Sequence, residues 1–211
     1  MKKYIYILLV IFLASKTSAN IKENIVLSLK NIESVNFNFE QNINGKIEDG
    51  NCTIQYPKQI FCKYNLGNQK ILVSDGKSLI IKTTSSYYKY SLDKTPLNYL
   101  LDKEFLIKKI NESNARIVQK KFINFKFTEN ENEINIFFDI NNFSLLGWQT
   151  LDIYQNLSIT YLSSISVNKN LKRDLFNIRF KKTNNQIQNS AQYNEIKKSI
   201  ARLYTTIKRS R

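Results

Sequence analysis

Cys52 and Cys62 are the side chains in this sequence best placed for chemistry, and they are its only thiols. There is no histidine at all. Its absence removes the usual general base and the commonest metal ligand. Two thiolates alone do not complete a four-ligand zinc site, so no metal is expected. What the cysteines can do is pair with each other. A turn centred on Pro57 sets positions 52 and 62 directly opposite across a hairpin. Opposed Cβ atoms in such a ladder lie about 4.5–5.5 Å apart, and the closer kind of pair suits a disulfide. A Cys52–Cys62 bond is therefore expected, with two small buried thiols as the alternative. Glu48/Asp49 and Glu129/Glu131 are neighbouring carboxylates, but they lie in polar stretches and read as exposed surface. With only 5 glycines, the chain has no phosphate-cradling loop. No catalytic residue is expected, and the chain does not read as an enzyme.

A disulfide needs an oxidising compartment, and the N-terminus offers the route to one. Met1-Lys2-Lys3 is basic, Tyr4 to Ala14 is apolar, and Thr17-Ser18-Ala19 supplies small residues. That order is a secretory signal, cleaved after Ala19. The apolar run has about 11 residues, whereas a membrane-spanning helix needs about 20. No cysteine stands near the cleavage point to carry a lipid. Residues 20–211 then form the mature chain, enough for one domain with a substantial core. The formal net charge is +15. A basic chain can meet nucleic acid, an anionic membrane or an acidic partner. Nucleic acid is a poor partner for an exported protein. The abundance of Asn, Lys and Ile also fits an AT-rich coding sequence.

Hydropathy patterning gives the elements that would hold these residues. Ile25, Leu29 and Ile32 recur at helical spacing, so residues 21–34 read as an amphipathic helix with Asn20 at its start. From Val35 to Glu40 apolar residues take every second position, the mark of a half-buried strand. Asp49-Gly50 reads as a turn, Pro57-Lys58 as a strand break, and Gly67-Asn68 as another turn. Asp75-Gly76 between two apolar runs, 69–74 and 77–83, is a strong hairpin signal. A strand follows at 86–91. Thr95-Pro96-Leu97 reads as a helix start with Thr95 as cap, and Leu97, Leu100 and Leu101 line one side of that short helix. Further strands are expected at 115–120, 122–128, 133–140, 144–155, 157–168 and 174–181. Short links imply antiparallel pairing, and so many sequential strands tend to curl into a barrel or half-barrel. The apolar helices then belong on its concave side.

Four segments carry a family resemblance. Val35-Asn36-Phe37-Asn38-Phe39-Glu40-Gln41 resembles a Phe-x-x-Phe-x-Gln strand, and Ile54-Gln55-Tyr56-Pro57 resembles an Arg-Pro hairpin. Ile71-Leu72-Val73-Ser74-Asp75-Gly76-Lys77-Ser78-Leu79 nearly matches a Val-Ser-Asp-Gly-Lys-x-Leu hairpin, and Thr95-Pro96-Leu97 with Leu100 resembles the start of a lid helix. In order and spacing they are similar to the LolA-type periplasmic outer-membrane lipoprotein carriers, well over residues 35–101 and in strand layout to about residue 180.

The resemblance implies an unclosed antiparallel β-barrel, a mainly β (α+β) half-barrel, with an N-terminal helix and a short lid helix over an apolar cavity. It implies a periplasmic carrier that takes the acyl chains of lipoproteins from an inner-membrane lipoprotein-releasing ABC exporter to the outer membrane. An outer-membrane receptor or the membrane surface would be the acceptor. It implies a monomer with no cofactor and no nucleic-acid partner. Strand parity and matching positions together make Phe37, Phe39, Ile54, Tyr56, Ile60, Leu97 and Leu100 the expected lipid-binding residues. Two positions depart from the pattern. Tyr56 stands where the family's Arg hydrogen-bonds the lid closed, and Cys62 replaces an aromatic. The alternative reading is a periplasmic lipid-binding or envelope-stress sensor module of the same fold. The carrier domain is expected over 20–183 and a basic amphipathic tail, helical in pattern, over 184–211. Tyr193, Ile196, Ile200, Leu203 and Ile207 form the tail's apolar stripe, which could lie on a membrane, dock on an exporter, pack on its own barrel or stay loosely ordered as chain ends often do. No resemblance is recognised in the last thirty residues.

Overall fold

The computed structural model describes residues 21–152, 154–168 and Thr183. Helix α1 covers residues 21–30. Its 3.6-residue period puts Ile25 and Leu29 into the core and leaves Leu27 outside. Among the described residues eleven strands follow: β1 (Ser34–Ile43), β2 (Lys46–Gln55), β3 (Gln59–Tyr64), β4 (Ile71–Asp75), β5 (Ser78–Lys82), β6 (Tyr87–Ser91), β7 (Arg116–Val118), β8 (Phe122–Glu129), β9 (Asn132–Asp139), β10 (Leu145–Leu151) and β11 (Leu157–Val167). Between β6 and β7 lie a 3-10 turn (Leu92–Lys94), a four-residue helix α2 (Leu97–Leu100) and a ten-residue helix α3 (Lys103–Glu112).

All strands join one antiparallel sheet, in the order β6-β5-β4-β3-β2-β1-β11-β10-β9-β8-β7. Strands β6 and β7 stand at its two ends, so the barrel is unclosed, as the sequence predicts. Strands β1 and β11 meet at its centre, where Phe39 faces Leu162 and Gln41 faces Thr160. Alternation aims Phe37, Phe39, Ile60, Ile136, Phe138 and their row-mates at one concave face. There α1, α2 and α3 contribute Ile25, Leu29, Leu100, Leu106 and Ile110 to the same core.

Several local expectations change. Asp49-Gly50 lies inside β2, and the turn is made by Asn44 (φ 49°) and Gly45 (φ 86°). Asn-Gly is the residue pair that a two-residue turn with positive φ favours. Gly50 serves close approach instead, because a Cβ there would sit 2.2 Å from the Lys63 carbonyl oxygen. Thr95 does not cap the lid helix: its hydroxyl donates to the Leu92 carbonyl at 2.8 Å and closes the 3-10 turn, while Pro96 takes the cap position. Helix α3 has no counterpart in the sequence reading. Asp102 caps it by accepting the Phe105 N–H at 3.1 Å, and Leu106, Ile107 and Ile110 form its buried face. Strand β10 ends at Leu151, four residues early, because the Asp152 carboxylate accepts the Tyr154 and Asn156 N–H groups at 2.8 Å each. The leader over 1–19, the Asn20 cap, the strand expected at 174–181 and the tail over 184–211 lie outside the described residues.

Helices α1 and α3 run antiparallel, each fastened to the other's C-terminal end. Lys103 Nζ donates to the Lys30 and Ile32 carbonyls, both at 3.1 Å, and Lys22 Nζ to the Asn111 carbonyl at 3.2 Å. A cation at a helix C-terminus meets carbonyls that have no partner within the helix.

Candidate functional site

A cavity of about 200 Å³ opens between α2 and the concave wall of β1–β5, β10 and β11. Of the residues expected to bind lipid, Phe37, Phe39, Ile60 and Leu97 line it. Ile54, Tyr56 and Leu100 do not; they are buried in the core beside it. Ile54 and Tyr56 share the concave parity. Ile54 faces Ile60 directly across the ladder, but the cavity reaches Ile60 on β3 and only Cys52 on β2. Leu100 sits one helical turn past Leu97 and is buried at 5 % exposure. Burial pushes the Tyr56 hydroxyl up to about 12, so it stays protonated in the physiological range.

The sequence reading missed Leu72, Leu79, Ile81 and Trp148 from the lining. Their parity was readable. Leu72 faces Cys62 and Ile81 across two ladders, and Trp148 faces Thr160. Trp148 also meets Phe37 edge-on, with ring centroids 6.2 Å apart. Cys52 and Cys62 are directly paired in the ladder and joined by a disulfide, and both border the cavity.

The floor of the cavity turns polar toward the Asn44-Gly45 end. Gln41 Nε2 donates to Ser158 Oγ at 3.0 Å and to Thr160 Oγ1 at 3.2 Å, while Tyr64 Oη donates to Gln41 Oε1 at 3.4 Å. Lys70 Nζ lies 4.2 Å from the Tyr64 ring centroid and pairs with Glu48, which also binds Lys46 at 2.9 Å. Glu48 is only 4 % exposed, against the expectation of a surface carboxylate. Burial alone would raise its pKa, but hydrogen bonds from Lys70 and Lys46 outweigh that and hold it below its ordinary value of 4.5. Tyr64 is pushed up by burial and by the Glu48 charge. Of the other candidate carboxylates, Glu129 pairs with Lys109 at 2.7 Å, Asp49 accepts from Asn65 at 2.7 Å, and Glu131 is exposed.

The polar ties between hairpin and lid run through Lys58, one residue beyond the cis Tyr56–Pro57 bond. Its N–H donates to the Leu101 carbonyl at 2.8 Å, and its ammonium pairs with Asp102 at 3.3 Å. A fixed positive charge therefore does reach the lid from this hairpin, two positions after Tyr56. Among the described residues no group of three or more His, Cys, Asp or Glu could hold a metal ion, and no helix is long and apolar enough to cross a membrane. What the site offers is a shielded apolar volume with a hydrogen-bonding end.

Known proteins place both parts of the chain. The model of the outer membrane lipoprotein carrier protein LolA family matches residues 30–179. That of the ribosomal L29 protein family matches residues 167–209. Large ribosomal subunit protein uL29 of Pelagibacter ubique is 49 % identical over 53 residues, 24 % of this chain and 84 % of that protein. The LprF structure from Mycobacterium bovis is similar at a TM-score of 0.42 and 13 % identity, over 73 % of this chain and 97 % of that one. An outer membrane lipoprotein-sorting protein domain from Vibrio parahaemolyticus is similar at 0.45 and 7 %, over 78 % and 98 %. The tail that carried no recognised resemblance thus has one, in the region where the sequence reading saw a basic amphipathic tail. The chain belongs to the outer membrane lipoprotein carrier protein LolA family and carries, behind that body, a segment of the ribosomal L29 protein family.

Proposed function

We propose that the body of this protein is a periplasmic carrier that shields the acyl chains of lipoproteins between the inner and outer membranes. The observation that carries the proposal is the apolar cavity roofed by α2, lined by Phe37, Phe39, Ile60, Leu72, Leu79 and Leu97. Each acyl CH₂ taken out of water is worth about 0.8 kcal/mol, so an apolar volume of this shape has acyl chains as its natural cargo. An apolar cavity of about 150 Å³ takes one benzene. The 200 Å³ here therefore houses only a short stretch of chain. Loading must enlarge it, and the four-residue α2, held by the Lys58 ties, is the element that can move. The inner-membrane ABC exporter as donor, an outer-membrane receptor or the membrane surface as acceptor, and export through residues 1–19 belong to this reading. Native mass spectrometry of protein purified from the periplasm is the test. Lipoprotein or acyl adducts are expected; their absence from protein isolated with its membranes intact would overturn the carrier role.

The L29-like segment favours a second reading. In it, residues 167–209 dock on the large ribosomal subunit, which holds the chain in the cytoplasm, so this reading competes with export through residues 1–19. Co-sedimentation of the full chain, but not of a chain ending at residue 168, with purified large subunits would support it. Binding of the full chain to anionic vesicles instead, weakened by the same truncation, would restore the membrane-contact role.

A further inference from the structure

We infer that the Gln41–Ser158–Thr160 cluster is a head-group subsite that recognises the ester carbonyls of the ligand's acyl linkage. The inference rests on the carrier reading and deepens it. Along β1 the concave side chains run Phe37, Phe39, Gln41, Ile43, and along β11 they run Leu162, Thr160, Ser158. Both strands turn polar at the level where Gln41 faces Thr160; beyond it β11 stays polar with Ser158, opposite apolar Ile43, and Gln41, Thr160 and Ser158 all line the cavity. Ser158 and Thr160 are buried, at 4 % and 3 % exposure. A buried hydroxyl is costly unless it is bonded. Gln41 supplies one bond to each, with the amide as donor and the hydroxyls as acceptors. Each hydroxyl has one proton of its own, and this arrangement keeps it available for an acceptor in the cavity.

The amide is itself oriented. Tyr64 donates to Gln41 Oε1, which fixes the NH₂ end toward the two hydroxyls. Glu48, Lys46 and Lys70 stand beside this level on the other flank, and the carboxylate is engaged by both lysines. The subsite therefore presents neutral O–H donors, while Lys46 and Lys70 share the single Glu48 carboxylate and leave a net charge of +1, with Lys70 lining the cavity. Neutral donors suit an ester carbonyl. The same donors could serve a fatty-acid carboxylate, so the test separates the two sources.

The probes are 1,2-dioctanoylglycerol, its dioctyl ether analogue without carbonyls, and octanoate, each displacing a fluorescent acyl probe from the full-length protein. A hydrogen bond of this kind contributes about 0.5–1.5 kcal/mol, so the ester should bind roughly twofold to twelvefold tighter than the ether. In Thr160→Val, which keeps the side-chain shape, and separately in Ser158→Ala, that ratio should fall toward one. An unchanged ratio in both folded variants would overturn the subsite. So would a wild-type protein that binds ester and ether alike, or that prefers octanoate. If the wild-type protein binds neither glycerolipid nor the fluorescent probe, the carrier reading fails as well, and that result is distinct from equal binding of the two.

Discussion

The two halves of the sheet share one sequence pattern and differ in what they enclose. In β8 and β9, Ile123, Phe125, Ile134, Ile136 and Phe138 are all 0 % exposed, and none of them reaches the cavity. In β1 to β5, residues of the same types and parity line it. The difference lies in the helix overhead. Ten-residue α3 presses Leu106, Ile107 and Ile110 onto its half and adds a Phe105–Phe127 contact at 6.0 Å and the Lys109–Glu129 pair. Four-residue α2 offers Leu97 and little else to the other half. A strand's alternation decides which face is dry; the length of the covering helix decides whether that face is filled.

Truncation should expose this contrast most sharply. Phe125→Ala, in the filled half, should cost about 3–5 kcal/mol, whereas Leu72→Ala, which already borders a void, should cost about 2 kcal/mol or less by the same reasoning. Urea denaturation measures both, and equal losses would break the comparison. Next comes the disulfide in the hollow wall. The double variant Cys52→Ala/Cys62→Ala should lose about 2–3 kcal/mol, because the bond closes a short loop of sequence separation 10. Reduction of the native protein should lower its midpoint to match.

Ile60→Glu tests the hollow half by function. A charge in the acyl path should weaken acyl-probe binding by about tenfold or more, since a carboxylate is costly to bury. Unchanged lipoprotein transfer by a folded Ile60→Glu protein would remove this wall from the site. Smaller still is the pH effect at Glu48. Its pKa is depressed in the folded protein, so its contribution is present above the ordinary value of 4.5 and is lost as pH falls through the lower folded value. Thermal melts should show an acid loss below pH 4.5 that Glu48→Gln lacks. The least effect belongs to Lys58→Met. Its half-exposed pair with Asp102 is worth about 1 kcal/mol or less, and the readout is faster exchange of a bound acyl probe.

Strand alternation made the hairpins, the open sheet and the facing of Cys52 with Cys62 legible before any coordinates. It also supplied Phe37, Phe39 and Ile60. Other features were written in the sequence and overlooked. Asn44-Gly45 is a stronger turn signal than the Asp49-Gly50 pair preferred to it, and Asp102 followed by Phe105, Leu106, Ile107 and Ile110 has the cap and period of α3. Two things were not legible. Parity and register set Ile54 opposite Ile60 on one face, but not how far across the sheet the cavity extends, so they do not tell that it takes in Ile60 and leaves out Ile54 and Tyr56. Nor does local pattern reveal that Gln41 meets Thr160, because that contact depends on which distant strand lies beside β1.

The pairing of β1 with β11 also governs how the protein is made. Glu33 N–H bonds Asn168 Oδ1, 135 residues downstream, and the ladder between them holds the centre of the sheet. Contacts so far apart in sequence raise the contact order, and high contact order means slow folding. As the chain emerges, the meander from β1 to β6 can form early, but one side of β1 stays unpaired until β11 arrives. For that interval the edge offers a template to any other extended chain. The molecule's period of greatest exposure to aggregation thus falls in the synthesis and refolding of its second half.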